Sequence, residues 1–203
     1  MSRKINPEKV DEAKEKIISA SVELIISDGF SKFTLSNVAQ KVGITKAAIY
    51  WYFASKEELL NAMVSMLRTT FIDSAKQTIE ESISPKQKIE ALILALENNS
   101  VHKKCFLLVK VFLELYSVDN EIKGIIQNGY KEYIEIVQDI FDEAIRNKEL
   151  QPIISKVTLA NLFCAALDGC VIQEEIMGEK CIDYKEVREF YAFLFVKTGG
   201  NEI

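Results

Sequence analysis

The sequence predicts an all-α protein of nine helices. Apolar residues recur at intervals of three and four along nearly the whole chain. No sustained alternation of apolar and polar residues is flanked by hairpin turns. The chain has 203 residues, 48% of them hydrophobic, so it can bury a substantial core; with only three prolines and eight glycines, its helices are interrupted at few points.

Capping residues and glycines divide the first part of the chain. Gly29 ends a first helix that begins near Glu8, and Gly43 separates two short helices opened by Thr34 and Thr45. The predicted helices are 8–28, 35–42 and 46–53.

The later helices begin at similar signals. Ser55 and Glu58 form a capping box, and Ser84 precedes a proline at the first helical position. Asp183 with Glu186 forms a further box. The predicted helices are 55–83, 85–98, 103–117, 120–147, 155–177 and 183–198.

Composition argues against catalytic and metal chemistry. His102 is the chain's one histidine, and the four cysteines have no C-x-x-C spacing, so they are expected to be structural thiols. There is no glycine-rich phosphate loop and no G-x-S-x-G motif. We therefore predict no catalytic residues, no metal site and no cofactor, and we do not expect an enzyme.

Charge and hydropathy point to a cytoplasmic protein with no membrane partner. No apolar run approaches the ~18 residues of a membrane span, and the N-terminus leads into a charged amphipathic segment rather than a signal peptide. Residues 1–60 carry nine Lys/Arg and eight Asp/Glu, whereas the rest carries sixteen and twenty-two. A near-neutral N-terminal segment followed by an acidic remainder is expected of a protein that binds phosphate groups through its N-terminal segment alone.

Residues 35–53 meet the requirements of a helix-turn-helix. A tight crossing of two short helices needs a small residue, a turn residue tolerant of positive φ, and an apolar residue pressed back from the second helix. Ala39, Gly43 and Ile49 supply these in order.

The second of these helices presents a surface suited to DNA. Thr45, Lys46, Ala47, Tyr50 and Trp51 are expected on its exposed face, where lysine can donate to guanine, alanine can touch a thymine methyl and tyrosine can bond phosphate. The aromatic run could instead be core. However, three successive aromatic residues lie ~100° apart, so one helix face cannot bury them all.

The same stretch resembles the signature of the TetR family of transcriptional regulators. The residues that carry it are 33–39, FTLSNVA, and 42–60, VGITKAAIYWYFASKEELL, and the resemblance covers about residues 10–60. Its distinctive part is the tail Tyr-x-Tyr-Phe-x-Ser-Lys-Glu-x-Leu, and Ala47 departs from the glycine of many relatives. The resemblance implies a helix-turn-helix DNA-binding domain at 1–54 and a larger helical ligand-binding and dimerisation domain at 55–203. The expected contacts with double-stranded DNA are Thr34, Ser36, Thr45, Lys46, Ala47, Tyr50, Trp51, Tyr52 and Lys56.

The resemblance also implies a homodimer built from the last two helices. The apolar stripes between residues 155 and 198 are wide for surface helices, and Gly169 in mid-helix suits close helix approach. An intramolecular contact is the alternative.

An effector pocket is implied between the fourth and eighth helices. Residues 105–116 are apolar nearly all round, which favours a buried helix. For each candidate taken alone, an ordinary core or surface position is favoured over a ligand contact, and Lys110 could simply pair with Glu114. The candidates for binding an apolar or amphipathic small molecule are His102, Phe106, Lys110, Phe112, Tyr116, Tyr130 and Phe163.

The resulting hypothesis is a ligand-responsive transcriptional repressor that binds a palindromic operator as a dimer and is released by its effector. The alternative is a helical ligand-binding or adaptor protein of the same fold that does not bind DNA.

Overall fold

The computed structural model of the chain describes residues 7–116, 120–151 and 153–195, without the side chains at 99, 100, 103 and 104. These residues confirm the all-α prediction: they form nine α-helices, a short 3-10 helix at Phe30–Lys32, and no strand beyond one isolated bridge. The helices are α1 Pro7–Asp28, α2 Leu35–Val42, α3 Lys46–Tyr52, α4 Lys56–Glu80, α5 Pro85–Ala95, α6 Asn99–Leu115, α7 Asn120–Arg146, α8 Lys156–Met177 and α9 Tyr184–Ala192.

Most helix ends fall where the capping signals place them. The Ser155 hydroxyl accepts the Thr158 N–H at 3.1 Å before α8, and the Asp183 carboxylate accepts the Lys185 N–H at 2.9 Å before α9. α6 begins four residues earlier than predicted, and α9 ends at Ala192 rather than 198. Residues 196–198 of the predicted last helix lie outside the described residues.

The described residues divide into two compact units. Unit 1 comprises the chain up to Arg68 together with Lys110–Gln127, and unit 2 comprises Thr69–Val109 together with the chain from Asn128. The helices α4, α6 and α7 each contribute residues to both units.

Unit 1 is built around the first three helices. α1 packs against α2, α3 and the 3-10 helix, and α2 packs against α3. Ile17 and Ile25 of α1 are almost fully buried, as is Phe33 after the 3-10 helix. Burying each such side chain contributes about 1.5–3 kcal/mol, so the short helices depend on this shared core.

Unit 2 has a larger apolar core from α4, α5, α7, α8 and α9. Phe163 of α8 is fully buried and makes edge-to-face contacts with Phe141 and Tyr191, at centroid distances of 6.0 and 5.0 Å. α5 packs against α9.

Within the described ranges, α8 is the one helix whose length and composition would allow it to cross a membrane. The core helix of a protein outside the membrane passes the same test. α8 buries Leu159, Phe163 and the carboxylate of Glu174 in unit 2. Hydropathy alone is therefore weak support for a membrane span.

Candidate functional site

The helix-turn-helix is fixed by two side-chain caps and one left-handed residue. The Thr34 hydroxyl accepts the Asn37 N–H at 3.1 Å, and the Thr45 hydroxyl accepts the Ala48 N–H at 3.1 Å. Between them, Gly43 has φ 80° and ψ 30°, and its N–H bonds the carbonyl of Ala39 at 2.9 Å. This geometry ends α2 and starts α3 within three residues.

A small apolar core holds the two helices together. Val38, Ala39 and Ile49 are almost fully inaccessible to solvent, and Val42 and Ile44 are half-buried. Because Ile49 faces inward, the opposite side of α3 must face away from α2.

The exposed positions of α3 carry aromatic and basic groups. Tyr50 is 48% exposed and Trp51 is 57% exposed, and Thr45, Lys46 and Ala47 are exposed as well. The Lys46 Nζ lies 6.0 Å from the centre of the Tyr50 ring. A lysine in the first turn of a helix, with large exposed aromatic side chains one turn later, is suited to bind a polyanion.

The other predicted DNA contacts differ in their surroundings. Thr34 and Ser36 are exposed at the start of α2, and Tyr52 is half-buried with its ring edge-on to Trp51. Lys56 is also half-buried; its Nζ lies 5.1 and 5.0 Å from the ring centres of the two phenylalanines at 30 and 33.

The structure does not bring the seven predicted effector residues together in one unit. The residues in unit 1 are Lys110, Phe112 and Tyr116, and those in unit 2 are His102, Phe106, Tyr130 and Phe163. Phe163 belongs to the buried core described above. Tyr116 is exposed, and its hydroxyl accepts a hydrogen bond from Gln127 Nε2 at 3.2 Å.

Lys110 holds the corner between α1 and the 3-10 helix. Its Nζ donates to the Ile26 carbonyl at 3.0 Å, and the Glu114 carboxylate accepts the Phe30 N–H at 2.8 Å. Two side chains one turn apart on α6 thus satisfy a carbonyl of the last turn of α1 and the first N–H of the 3-10 helix. We call this pair the α6 clamp. Sequence spacing suggested that Lys110 and Glu114 could pair with each other, but both bond to the backbone.

His102 belongs to a buried polar cluster. Its Nε2 lies 2.8 Å from Oε2 of the buried Glu174, although the imidazole N–H is not directed at the carboxylate. The Glu174 carboxylate also accepts the Ile182 N–H at 3.2 Å and the Tyr184 hydroxyl at 3.3 Å. These bonds join α8 to Ile182 in the loop before α9 and to the first residue of α9.

Tyr130 donates its hydroxyl hydrogen to the carboxylate of Asp168. Both residues are half-buried in unit 2. Sequence reasoning did not select Asp168. The available signal was an acidic residue within the apolar run of α8, four positions after the fully buried Cys164.

One side of α8 and α9 is apolar but uncovered in the single chain. Leu162 is 55%, Ile176 77% and Phe190 66% exposed. Gly169 is also exposed, and a Cβ added there would meet nothing within 4 Å in its own chain. Close approach to another described segment of this chain therefore does not explain the glycine.

Sequence families cover most of the chain. Residues 17–63 match the family described as bacterial regulatory proteins, tetR family. Residues 68–185 match the tetracyclin repressor-like C-terminal domain.

Individual relatives agree with these matches. The fatty acid metabolism regulator protein of Bacillus subtilis is 28% identical over 136 residues, covering 67% of this chain and 70% of that protein. The HTH-type transcriptional regulator SrpR of Pseudomonas putida is 25% identical over 183 residues, covering 85% of this chain and 79% of the relative.

Crystal structures share the fold. The reduced form of NemR from E. coli superposes with a TM-score of 0.79 at 17% identity, covering 92% of this chain and 99% of NemR. FadR from Bacillus subtilis, in complex with stearoyl-CoA, superposes with a TM-score of 0.70 at 22% identity, covering 92% and 99%.

Proposed function

Because the chain belongs to the TetR family and is a transcriptional regulator, we propose that it binds a palindromic operator as a homodimer through α3 and is released by a small effector. The observation that supports the DNA contact is the exposed surface of α3. Tyr50, Trp51 and Lys46 are exposed there, whereas Ile49 of the same helix is buried.

Each proposed DNA contact has a chemical role. The exposed start of α3, with Thr45 as its cap, directs N–H groups and the positive end of the helix dipole toward a groove or phosphate. Lys46 can donate to guanine O6 or N7, Ala47 can contact a thymine methyl, and Tyr50 can bond a phosphate oxygen. Thr34, Ser36 and Tyr52 are proposed to make the flanking phosphate contacts. Lys56, whose ammonium lies beside the aromatic rings of Phe30 and Phe33, is proposed to reach the phosphate backbone from the flank.

The DNA experiment can use the chain's own fluorophore. Trp51 is the single tryptophan, so its fluorescence should change when DNA covers α3. Titration with the DNA upstream of the protein's own gene, over a series of salt concentrations, should show affinity falling steeply as salt rises. A DNA-independent adaptor of the same fold would show no saturable change.

A variant separates recognition from folding. Lys46→Ala should weaken operator binding by about tenfold without changing the melting temperature. Lys131→Ala, at an exposed lysine of unit 2, is the control and should bind as the parent does. Equal affinity of Lys46→Ala and the parent would remove α3 from the proposed interface.

The uncovered apolar side of α8 and α9 supports the dimer. Leu162, Ile176 and Phe190 would lose exposed apolar surface against a second copy, which stabilises association by about 25 cal/mol per Å² before the entropic cost of binding. Two recognition helices, one per copy, would then read half-sites one helical turn or a multiple apart.

Light scattering tests the dimer. At micromolar concentration the parent should have a molar mass of about twice the 23.0 kDa of one chain. Leu162→Glu should lower this mass toward that of the monomer. Ile153→Glu, at an apolar residue exposed outside these helices, is the control and should remain dimeric. A monomeric parent would contradict the proposal.

Effector release requires a connection to the DNA-binding helices, and we assign it to the α6 clamp. Lys110 and Glu114 lie on the same continuous helix as Cys105 and Phe106 of unit 2. A shift of α6 along or about its axis would therefore act directly on the end of α1. The effector itself is proposed to be an apolar or amphipathic small molecule.

Hydrogen exchange tests the clamp. In a Lys110→Met, Glu114→Gln variant, exchange of the Phe30 amide should rise and operator affinity should change, while exchange in α8 stays as in the parent. A variant that leaves both the Phe30 amide and operator affinity unchanged would contradict a role for the clamp.

A further inference from the structure

The carboxylate of Asp168 is half-buried, and its hydrogen-bond partner among the described residues is the phenol of Tyr130. Tyr130 donates to it, and no lysine, arginine or histidine is paired with it among the described side chains. A hydroxyl compensates a buried carboxylate only in part, because desolvation disfavours the charged form more than one neutral hydrogen bond favours it. In agreement, burial raises the pKa of Asp168, while the Tyr130 hydrogen bond lowers it.

The titratable groups around Asp168 remain neutral at neutral pH. Burial first, and then the charge of Asp168, raise the pKa of the Cys105 thiol on α6 to about 11 and that of the Cys164 thiol on α8 to about 12. Burial is also the main cause that raises the pKa values of Tyr130 and Tyr133 on α7. Of these five groups, Asp168 is the one whose ordinary pKa lies well below neutrality, so any charge in this cluster at neutral pH is negative.

Aromatic rings lie next to this carboxylate. The ring of Tyr130 lies 6.4 Å from that of Tyr133, which lies 4.8 Å from the ring of Phe71. Phe71 is half-buried and Tyr133 almost fully buried. The faces of aromatic rings carry negative potential, so a carboxylate beside the two tilted phenol rings of Tyr130 and Tyr133 attracts a cation by two mechanisms.

We propose that Asp168, with Tyr130 and Tyr133, forms the subsite that holds the positively charged end of an organic cation. This proposal names the chemical class of the effector. It rests on the proposed function only in the expectation that the cation releases the protein from DNA. An amine or quaternary ammonium group supplies the missing counter-charge of Asp168, and its apolar substituents lie against the rings. An anionic headgroup at the same place would face an uncompensated carboxylate and is disfavoured.

Calorimetric titration with three probes of similar size tests the charge preference. These are hexyltrimethylammonium, the neutral 1-octanol and the anionic octanoate. The parent should bind the cation at least about tenfold more tightly than the other two, since a desolvated charge pair contributes more than its exposed equivalent. Asp168→Asn should lose that preference. The matched control, Asp139→Asn, changes an exposed aspartate of α7 and should keep it.

The outcomes are distinguishable from those for DNA binding, because calorimetry needs no operator. If Asp168→Asn binds the cation as the parent does, or if octanoate binds the parent as tightly as the cation, the subsite is refuted even where operator binding is intact. If the cation binds through Asp168 but no operator is bound, the subsite stands and the DNA proposal fails. When both hold, the cation should release operator from the parent and not from Asp168→Asn.

Discussion

Replacing Gly43 with alanine is expected to destabilise the chain through backbone conformation alone. Gly43 has φ 80° at the end of α2, and a Cβ added there meets nothing within 4 Å. The left-handed conformation costs an L-residue about 1–2 kcal/mol, while the smaller number of unfolded conformations offsets about 0.4–1 kcal/mol. With mid-range values for both terms, the net loss of unfolding free energy is about 0.8 kcal/mol. Gly43→Asn should lose less, because asparagine tolerates this region better.

The same chemical change at Gly124 should have the opposite sign. Gly124 lies within α7, its backbone has no positive φ, and a Cβ added there also meets nothing within 4 Å. Alanine in a helix interior is favoured over glycine by about 0.8–1 kcal/mol. Neither substitution changes a contact, so the pair isolates backbone conformation as the cause.

Equilibrium urea unfolding measures both variants. Helicity reports on the whole chain, and the fluorescence of Trp51 reports on the helix-turn-helix, which contains Gly43. The midpoint of Gly43→Ala should fall and that of Gly124→Ala should rise, with unchanged denaturant slopes. A Gly43→Ala variant as stable as the parent, or a Gly124→Ala variant less stable, would refute the reasoning.

Three further predictions concern titration and thiol reactivity. The hydrogen bond from Lys156, and then the charge of that lysine, hold the pKa of Asp142 below its usual value. Lys156→Gln should raise the pKa of Asp142, which NMR titration can measure. The stabilisation by this pair should be present above the unfolded pKa and be lost as pH falls through the lowered folded pKa. Burial, followed by the charges of nearby thiols, raises the pKa of Tyr191 to about 12. The contribution of Tyr191 to folding stability should therefore be present below the unfolded pKa and be lost as pH rises through about 12. Ultraviolet titration of the phenolate can follow this, and ionisation of Tyr191 in the folded protein near pH 10 would contradict it. Exposed Cys181 should react with a disulfide reagent within the mixing time, whereas Cys164, fully buried, should react only on unfolding; equal rates would contradict the burial of Cys164.

Local signals in the sequence were sufficient for the helix-turn-helix. Thr34 and Gly43 bound α2 at the predicted residues, and Thr45 starts α3 as predicted. Each signal acts within one turn of the residue that carries it, through a side-chain oxygen on a nearby N–H or through a positive φ. The identity of the buried residue Ile49 follows from the same spacing.

Long-range partners account for what the sequence could not predict. Leu194 and Phe195 continue the apolar pattern of α9, but Phe195 forms a bridge to Leu150, and the helix ends at Ala192. Lys110 is bonded to a backbone carbonyl 84 residues earlier in the chain. Periodicity predicts which side of a helix is apolar, but it carries no information on which distant backbone group a polar side chain meets. The predicted DNA contacts, the effector residues and the domain boundary after residue 54 stay predictions.

For the proposed effector response, the α6 clamp of Lys110 and Glu114 gives an expected magnitude. Hydrogen bonds that involve a charged group contribute about 1.5–3 kcal/mol each when shielded, and less at half-exposed positions such as these. Allosteric coupling energies are typically about 1–3 kcal/mol. The loss of one of the two clamp bonds therefore matches the size of response that a regulator needs, without any requirement that α6 unfold.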